Sequence, residues 1–224
     1  RAMMFVMLCH FGSGHTGIRL ETLALIRDML NAGISRRPQP RLCRLSDARG
    51  PHRHGDDRRG QGHLSGETLD GAEALKRAGL KPVVLSSKEG LILLSGTTSV
   101  TAFASLAIYD AQTLSLTADI AGSFTLEVLK GTLMAMDERL MAVRPHPDQI
   151  NTAANIRAIL KDSPMLERYR GHRVQDALSI RCMPQLHGPV KKAIKDAQTT
   201  LAIELNSSVD NPLIFDEEDA ARSR

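Results

Sequence analysis

Hydrophobic residues recur at spacings of three and four along much of the chain, which is the period that places them on one face of a helix. The stretch Leu20–Leu30 has this spacing and ends at the stop signal Asn31-Ala32-Gly33. The stretch Pro189–Leu205 repeats it, which predicts an amphipathic helix. Its apolar positions are Val190, Ile194, Ala197, Leu201 and Leu205.

A longer helix is predicted from Thr98 to about Lys130, where the chain has no proline and is rich in Ala and Leu. Its apolar stripe predicts a place in the core, and a break near Gly122 is the alternative to one continuous helix. The stripe contains Val100, Phe103, Ala107 and Leu114.

Two further stretches favour helices. The apolar run Ala2–Phe11 is too short to span a bilayer and is interpreted as a buried helix. Asp148–Leu160 predicts another helix, ended before Pro164.

The region between these helices contains weaker signals. Residues 64–80 predict a short connection and a helix, with Asp70 as N-cap and Gly79 as C-terminal stop. Lys81–Leu85, after Pro82, predicts a brief extended piece. The chain has five Phe, two Tyr and no Trp, so its core is aliphatic, which suits packed helices better than a sheet. The fold class predicted is all-α.

Composition and charge narrow the class of protein. A chain of 224 residues with 42% hydrophobic and 24% charged residues can form one or two globular domains. The three cysteines, Cys9, Cys43 and Cys182, imply no disulfide framework and favour a reducing cytoplasm. Because the chain begins with Arg1 instead of Met, we expect a fragment of a longer protein.

The net charge of +4 belongs to one segment, residues 36–63, where eight Arg and three Asp give +5. Its few apolar residues cannot offset the entropy of ordering it, which predicts a disordered basic loop. A nucleic-acid patch is an alternative, but the segment has no aromatic residue to stack on bases. A zinc site is a second alternative. The candidate ligands lack the closely spaced pairs typical of zinc sites; they are Cys43, His52, His54 and His63.

The segment Gly12–Gly17 reads G-x-G-x-x-G, the pattern of a dinucleotide-binding turn. No acidic residue follows at about 20 residues, and no further βαβ pattern is present, which argues against that function. The interpretation favoured is a Gly-rich turn between two closely packed helices, with His15 as a turn residue.

Residues 172–215 carry the strongest candidate chemistry. Arg181 lies among uncharged amides and turn-forming prolines, a set that can hold a small carboxylate in a fork. The alternative is that these side chains only satisfy backbone groups at helix ends. The amides are Gln175, Gln185, Asn206 and Asn211.

The order of motifs resembles the histidine and aromatic amino-acid ammonia-lyase family. Residues 174–185 match V-Q-D-x-x-S-[LI]-R-C-x-P-Q, and residues 204–213 match E-[IL]-N-x-x-x-D-N-P-[LI]. Upstream stretches also resemble the family: G-x-x-G-I-R at 14–19, L-N-A-G at 30–33, A-G-L at 78–80, K-E-G-L at 88–91 and S-G-T at 95–97.

This resemblance implies a long-helix bundle of the fumarase/aspartase-like superfamily and a homotetramer acting on a small amino acid. It implies substrate binding by Arg181, Gln175 and Asn211, with no metal, nucleic acid or membrane. The family's catalytic tyrosine is Leu178 here, and the asparagine of its N-G-T motif is Ser95. Its cofactor, 4-methylideneimidazol-5-one, forms from an internal Ala-Ser-Gly. Because the chain contains neither Ala-Ser-Gly nor Ser-Ser-Gly, that cofactor is not formable from it.

Three regions are therefore expected: a helical piece over 1–35, a frameshifted segment over 36–63, and a helical core over 64–224 that lacks the family's C-terminal part. Codons permitted for Arg37–Leu45, read one nucleotide later, can encode a string that resembles the family's sequence before Ala-Ser-Gly. The function expected by resemblance is an inactive part of a histidine ammonia-lyase, the enzyme that converts L-histidine to urocanate and ammonia. The alternative is a helical remnant that only associates with homologous subunits.

Overall fold

The computed structural model describes residues 1–34 and 61–215, which are mostly helical, so the all-α prediction is confirmed. The helices are α1 Ala2–Phe11, α2 Leu20–Asn31, α3 Gly71–Arg77, α4 Glu89–Ile92, α5 Thr98–Val128, α6 Glu138–Ala142, α7 Pro147–Ile159, α8 Pro164–Arg168, α9 Leu178–Arg181 and α10 Met183–Leu205. A 3₁₀ turn spans Leu133–Met136.

The sequence patterns missed a small antiparallel hairpin. Strand β1, Gln61–Leu64, pairs with β2, Glu67–Asp70, so that Leu64 faces Glu67 in the register. The segment 36–63 otherwise lies outside the described residues. Asp70 ends β2 and caps α3, because its carboxylate accepts a hydrogen bond of 2.9 Å from the Ala72 amide. Lys81–Leu85 forms no strand.

The predictions for α1, α2, α5 and α7 are confirmed to within a residue or two. Helix α5 is continuous, so the break considered near Gly122 is wrong. A Cβ atom at Gly122 would lie 2.5 Å from the Met183 sulfur, so this glycine allows close packing in place of a break. The sequence predicted that α10 starts at Pro189. The helix instead begins at Met183 and contains Pro189 in its interior.

The chain divides into two compact units, residues 1–105 with 201–224 and residues 106–200. The first unit has a core of Met4, Met7, Phe11, Ile26 and Ile92. The second has a core of Leu126, Met136, Met141, Ala153, Ile156, Leu160, Ile180 and Met183.

Three helices of the second unit meet at the carboxylate of Asp119, which is fully buried. Asn155 Nδ2 of α7 donates to it at 2.7 Å, His187 Nδ1 of α10 lies 2.8 Å away, and the Lys191 ammonium pairs with it. Burial opposes ionisation of Asp119, but these partners together hold its pKa below the ordinary value. The cluster therefore ties α5, α7 and α10 together inside this unit.

The apolar stripe of α5 is not part of the core, which corrects the prediction of a fully packed core helix. Val100, Phe103 and Leu114 are 71%, 59% and 69% exposed. Within the described residues no other element covers these side chains. No described helix combines the length and apolar character needed to cross a membrane.

Candidate functional site

Arg181 and Gln175, two of the residues predicted to bind substrate, lie together in the second unit. Arg181 is the last residue of the short helix α9, and Gln175 lies in the loop that leads into it. Arg181 Nη1 donates to Gln175 Oε1 at 2.6 Å. This bond fixes the guanidinium relative to the loop.

The loop before α9 is anchored by Asp176, whose side chain is buried. Its Oδ2 accepts a hydrogen bond of 2.7 Å from the amide of Thr132. A Cβ atom at Gly131 would lie only 3.1 Å from the same oxygen, so the glycine leaves room for this contact. Asp176 thereby sets the position from which Gln175 reaches Arg181.

A cavity of about 270 Å³ adjoins Arg181. Its polar lining consists of Arg144, Gln149, Arg181 and Gln185, and its apolar lining includes Leu140 and Met141. Arg181 Nε and Gln185 Oε1 are buried and have no hydrogen-bond partner among the described residues. Both atoms are shielded from solvent, so a ligand in the cavity could reach them only after the surrounding side chains moved.

Close helix packing places Gln149 in this cavity. A Cβ atom at Gly188 in α10 would lie 2.6 Å from Gln149 Cγ and 2.8 Å from its backbone nitrogen. Only a glycine permits this approach of α7 to α10 without rearrangement. Gln149 itself is 4% exposed, and Arg144 Nη1 donates to its Oε1 at 3.5 Å, the outer limit of a hydrogen bond.

The third predicted residue, Asn211, is exposed and lies in the first unit, within a segment that this unit holds at several points. The buried Asp210 accepts a hydrogen bond of 2.8 Å from Lys88 Nζ, which also donates to the Thr16 carbonyl. The Ile214 amide donates to the His15 carbonyl at 2.8 Å. The D-N-P segment is therefore held by the Gly-rich turn and by the K-E-G-L motif.

The Gly-rich turn Gly12–Gly17 connects α1 to α2, not a strand to a helix, so the dinucleotide context is absent here. A Cβ atom at Gly17 would lie 2.3 Å from Ile214 Cδ1. His15 is a turn residue, as favoured, with its ring 5.1 Å from that of Phe215. The sequence did not predict that this turn would pack against the segment that follows the D-N-P motif.

Glu89, next to Lys88 in the K-E-G-L motif, forms hydrogen bonds with Arg19, the last residue of the G-x-x-G-I-R motif. Arg19 Nη2 donates to Glu89 Oε2 at 2.8 Å, and Thr22 Oγ1 donates to Oε1 at 2.8 Å. The Ser86 amide donates to Oε2 at 2.7 Å. The hydrogen bond from Arg19 is the largest cause that lowers the pKa of the buried Glu89 carboxyl to about 2. These motif residues stabilise the scaffold.

The structure describes Leu178 and Ser95, the residues that the resemblance places at the family's tyrosine and asparagine positions. Leu178 begins α9 and is 64% exposed, and Ser95 lies in the turn between α4 and α5. The Ser95 amide donates to the Leu91 carbonyl at 2.8 Å. Neither side chain has an acid–base group suited to proton transfer at neutral pH.

Sequence reasoning missed Arg144 and Gln149, because nothing in their local pattern separates them from ordinary surface residues. Gln185 was named only as one amide among several. The signal that identifies all three is tertiary: they line one cavity with Arg181.

The residues present do not fit the self-formed imidazolone cofactor. The chain has three Ser-Gly pairs, and each is preceded by a residue other than Ala or Ser, namely Gly12, Leu64 and Leu94. Within residues 1–34 and 61–215, no three His, Cys, Asp or Glu side chains form a group that could hold a metal ion.

The family model for aromatic amino acid lyases matches residues 58–224. The chain is 40% identical to a histidine ammonia-lyase of Alkaliphilus oremlandii, covering 97% of this chain and 44% of that protein. It is 42% identical to a histidine ammonia-lyase of Sorangium cellulosum, covering 96% of this chain and 43% of that protein. The chain thus spans less than half the length of these relatives.

Solved structures show the same fold. Histidine ammonia-lyase from Trypanosoma cruzi superposes with a TM-score of 0.80 at 28% identity, over 95% of this chain and 40% of that one. Ergothionase from Treponema denticola gives a TM-score of 0.85 at 27% identity, over 96% of this chain and 44% of that one.

Proposed function

Because the chain belongs to the aromatic amino acid lyase family, we propose that it is part of an ammonia-lyase scaffold that binds a small amino acid through Arg181. The observation that carries this proposal is the Arg181 guanidinium, held by Gln175 at 2.6 Å beside a polar cavity. A planar guanidinium fixed in this way suits bidentate binding of a carboxylate. Gln175 contributes to this site through its hydrogen bond to Arg181, and the motif that contains Asn211 assigns that residue a substrate-binding role as well.

Histidine is the first candidate for the substrate. It is supported by the relatives at 40% and 42% identity, which are named histidine ammonia-lyases. Phenylalanine and tyrosine are the next candidates, since the matching family model is that of the aromatic amino acid lyases.

The chain as translated is proposed to be inactive. In the family, the imidazolone supplies an electron sink that the ordinary side chains do not provide, and its precursor tripeptide is missing here. Leu178 cannot exchange protons, so general base catalysis from that position is lost as well. The remaining capability is to bind and orient an amino acid.

The test is to mix the purified chain with L-histidine, L-phenylalanine or L-tyrosine and to record absorbance at the urocanate and cinnamate bands. We expect no new absorbance and no ammonia. Turnover of any of the three amino acids by this chain would refute the proposed inactivity.

We further infer that segment 36–63 arose from a frameshift, leaving helical regions over 1–35 and 64–224. The support is the order of motifs that resemble the family, which occur at 14–19 and 30–33 before this interval and from 78 onward after it. The interval itself is rich in Arg and contains no Ala-Ser-Gly. Sequencing the gene with its flanks tests this. The idea fails if no alternative frame in that interval encodes an Ala-Ser-Gly or Ser-Ser-Gly loop.

A second candidate function is association with other copies or with homologous subunits. The observation that favours it is the row of large apolar side chains left exposed along α5, which include Val100, Phe103, Leu106, Tyr109, Leu114, Leu116, Ile120, Phe124 and Val128. Monomeric proteins rarely expose so large an apolar surface. A homo-oligomer, and a tetramer by resemblance, would cover it.

Co-expression with a tagged full-length histidine ammonia-lyase tests this association. We expect the chain to co-purify, and Phe124→Glu to reduce its recovery. Thr125→Glu is the matched control, because Thr125 is the adjacent exposed residue and its hydroxyl donates only to the Ala121 carbonyl. Equal recovery of the two variants, or none of the parent chain, would count against association through α5.

A further inference from the structure

The buried carboxylate of the D-N-P motif, Asp210, meets residues of two other motifs in the first unit. The side chain of Asp210 is 1% exposed, and its Oδ2 accepts a hydrogen bond of 2.8 Å from Lys88 Nζ. Lys88, whose side chain is 17% exposed, also donates to the Thr16 carbonyl. Asp210 Oδ1 is buried and has no hydrogen-bond partner within residues 1–34 and 61–215. Among the described residues, Lys88 is therefore the counterion of this buried carboxylate.

The residues that follow Asp210 have little else to hold them. Residues 211–215 form no helix or strand, and all five are exposed. Within the described part of the chain, the Asn211 side chain forms no hydrogen bond, and the nearest backbone bond after it joins the Ile214 amide to the His15 carbonyl at 2.8 Å. Exposed segments with few contacts open locally at a low free-energy cost. The position of Asn211 therefore depends on the buried residue that precedes it.

The backbone of Lys88 has a conformation that suits glycine better than lysine. Its φ is +69°, in the left-handed region where a side chain is strained. Strain of this kind persists where the surrounding structure requires it, and an observed outlier of φ is a reason to ask what the side chain does. The turn alone would be satisfied by glycine, so the contacts of the Lys88 ammonium with Asp210 and Thr16 explain the lysine.

We infer that Lys88 is a positioning residue for Asn211: its ion pair with Asp210 holds in place the segment 208–215, which carries the Asn211 side chain. Removal of the ammonium leaves the Asp210 carboxylate buried without a counterion, which is costly. That cost falls when the segment opens and the carboxylate reaches water, so the segment moves while the helices beside it stay folded. The inference rests on the proposed function for the part that Asn211 takes in substrate binding.

The test is hydrogen–deuterium exchange of the 224-residue chain, measured by mass spectrometry of its peptides without an added amino acid. We expect Lys88→Met to accelerate exchange of the amides at 208–215 at least about tenfold, and to change exchange in α1 and α2 less than about twofold. Lys81→Met, at an exposed lysine of the same unit, is the control and should leave all of these rates unchanged. Because no substrate is present, a failure of the chain to bind an amino acid would count against the proposed function alone.

Two outcomes of this measurement would overturn the inference. One is equal exchange at 208–215 in Lys88→Met and in the wild type. The other is an acceleration of the same size in α1 and α2, because that result describes a residue that only stabilises the fold. Lys88→Met combined with Asp210→Asn removes both buried charges, so exchange at 208–215 should slow at least about threefold relative to Lys88→Met alone. Exchange as fast as in the single variant would contradict a role for the ion pair.

Lys88→Gly separates the side chain from the backbone strain, because glycine removes the ammonium and also suits the left-handed conformation. Exchange at 208–215 should accelerate as in Lys88→Met, while the urea midpoint of unfolding falls less than in Lys88→Met. Ser65→Gly is the matched control, since Ser65 is an exposed residue of the same unit with φ of +52°, and it should leave exchange at 208–215 unchanged. Wild-type exchange in Lys88→Gly would show that the Lys88 side chain does not hold the segment.

Discussion

Two groups of charged residues, one in each unit, differ in how they are paired. In the first unit, the buried carboxylates of Glu89 and Asp210 are paired with Arg19 and Lys88, each at 2.8 Å. In the second unit, Arg181 and Arg144 meet only neutral amides within the described part of the chain. Glu89 and Arg181 both lie in family motifs, so motif membership does not separate a paired charge from an unpaired one.

This difference helps to distinguish charged residues that stabilise the fold from charged residues that could bind a ligand. A buried charge that is fully paired contributes to holding elements together, and removing one partner is costly. A charge with only neutral partners, or with a buried donor that has no partner, contributes little to stability. On this basis we assign Glu89 of the K-E-G-L motif to the scaffold, and we propose that Arg181 of the R-C-x-P-Q motif belongs to a binding site.

The largest effect is expected from Glu89→Gln, which leaves the Arg19 guanidinium without its carboxylate. We expect the free energy of unfolding to fall by about 2–3 kcal/mol at neutral pH, measured by urea denaturation. Because the pKa of Glu89 is lowered from 4.5 to about 2, the wild-type advantage is complete above pH 4.5 and is lost as the pH falls toward 2.

The matched control is Glu73→Gln. Glu73 forms an exposed pair with Arg77 at 3.0 Å within α3, so its loss should cost no more than about 0.5 kcal/mol. If both variants lose the same stability, the paired network of the first unit is not the scaffold that we describe.

A smaller effect of opposite sign is expected from Arg181→Met. The methionine keeps an apolar stem and removes a buried donor that has no partner, so the free energy of unfolding should rise by up to about 1 kcal/mol. Arg157→Met is the contrast within the same unit, because Arg157 donates to the Met136 carbonyl at 2.5 Å and to Glu138 at 2.9 Å. It should destabilise by about 1 kcal/mol. Destabilisation by Arg181→Met as large as that by Arg157→Met would remove the distinction between an unpaired and a paired arginine.

The smallest effect is a pH dependence from His10, which is buried in the first unit with Nδ1 3.2 Å from Thr98 Oγ1. Burial lowers the pKa of His10 below 6.5, although the nearby Glu204 opposes this. The unfolded chain therefore takes up the proton first, and stability should fall as the pH drops below 6.5 until the folded-state pKa is reached.

His10→Leu should flatten this pH dependence in thermal unfolding curves recorded between neutral and mildly acidic pH. His146→Leu, at an exposed histidine, should leave it unchanged. A slope that persists in His10→Leu would assign the pH dependence to another group.

Helix positions could be predicted from the sequence because their cause is local. The spacing of Leu23, Ile26 and Leu30 is enough to predict α2, and the absence of proline is enough to predict α5. The spacing of the apolar residues in α5 predicts that they share one face of the helix. It does not predict which surface packs against that face. The hairpin β1–β2 was missed because its four-residue strands have no hydrophobic alternation.

The sequence alone determined the helical class, the family resemblance and the candidacy of Arg181, Gln175 and Asn211. Only the tertiary structure decided which charges are paired. Arg19 and Glu89 are 70 residues apart in the chain, and Lys88 and Asp210 are 122 residues apart. Gln149 likewise reaches the cavity of Arg181 through the packing of α7 against α10 at Gly188. Contacts over such separations depend on how helices pack, and no local pattern of residues encodes that packing.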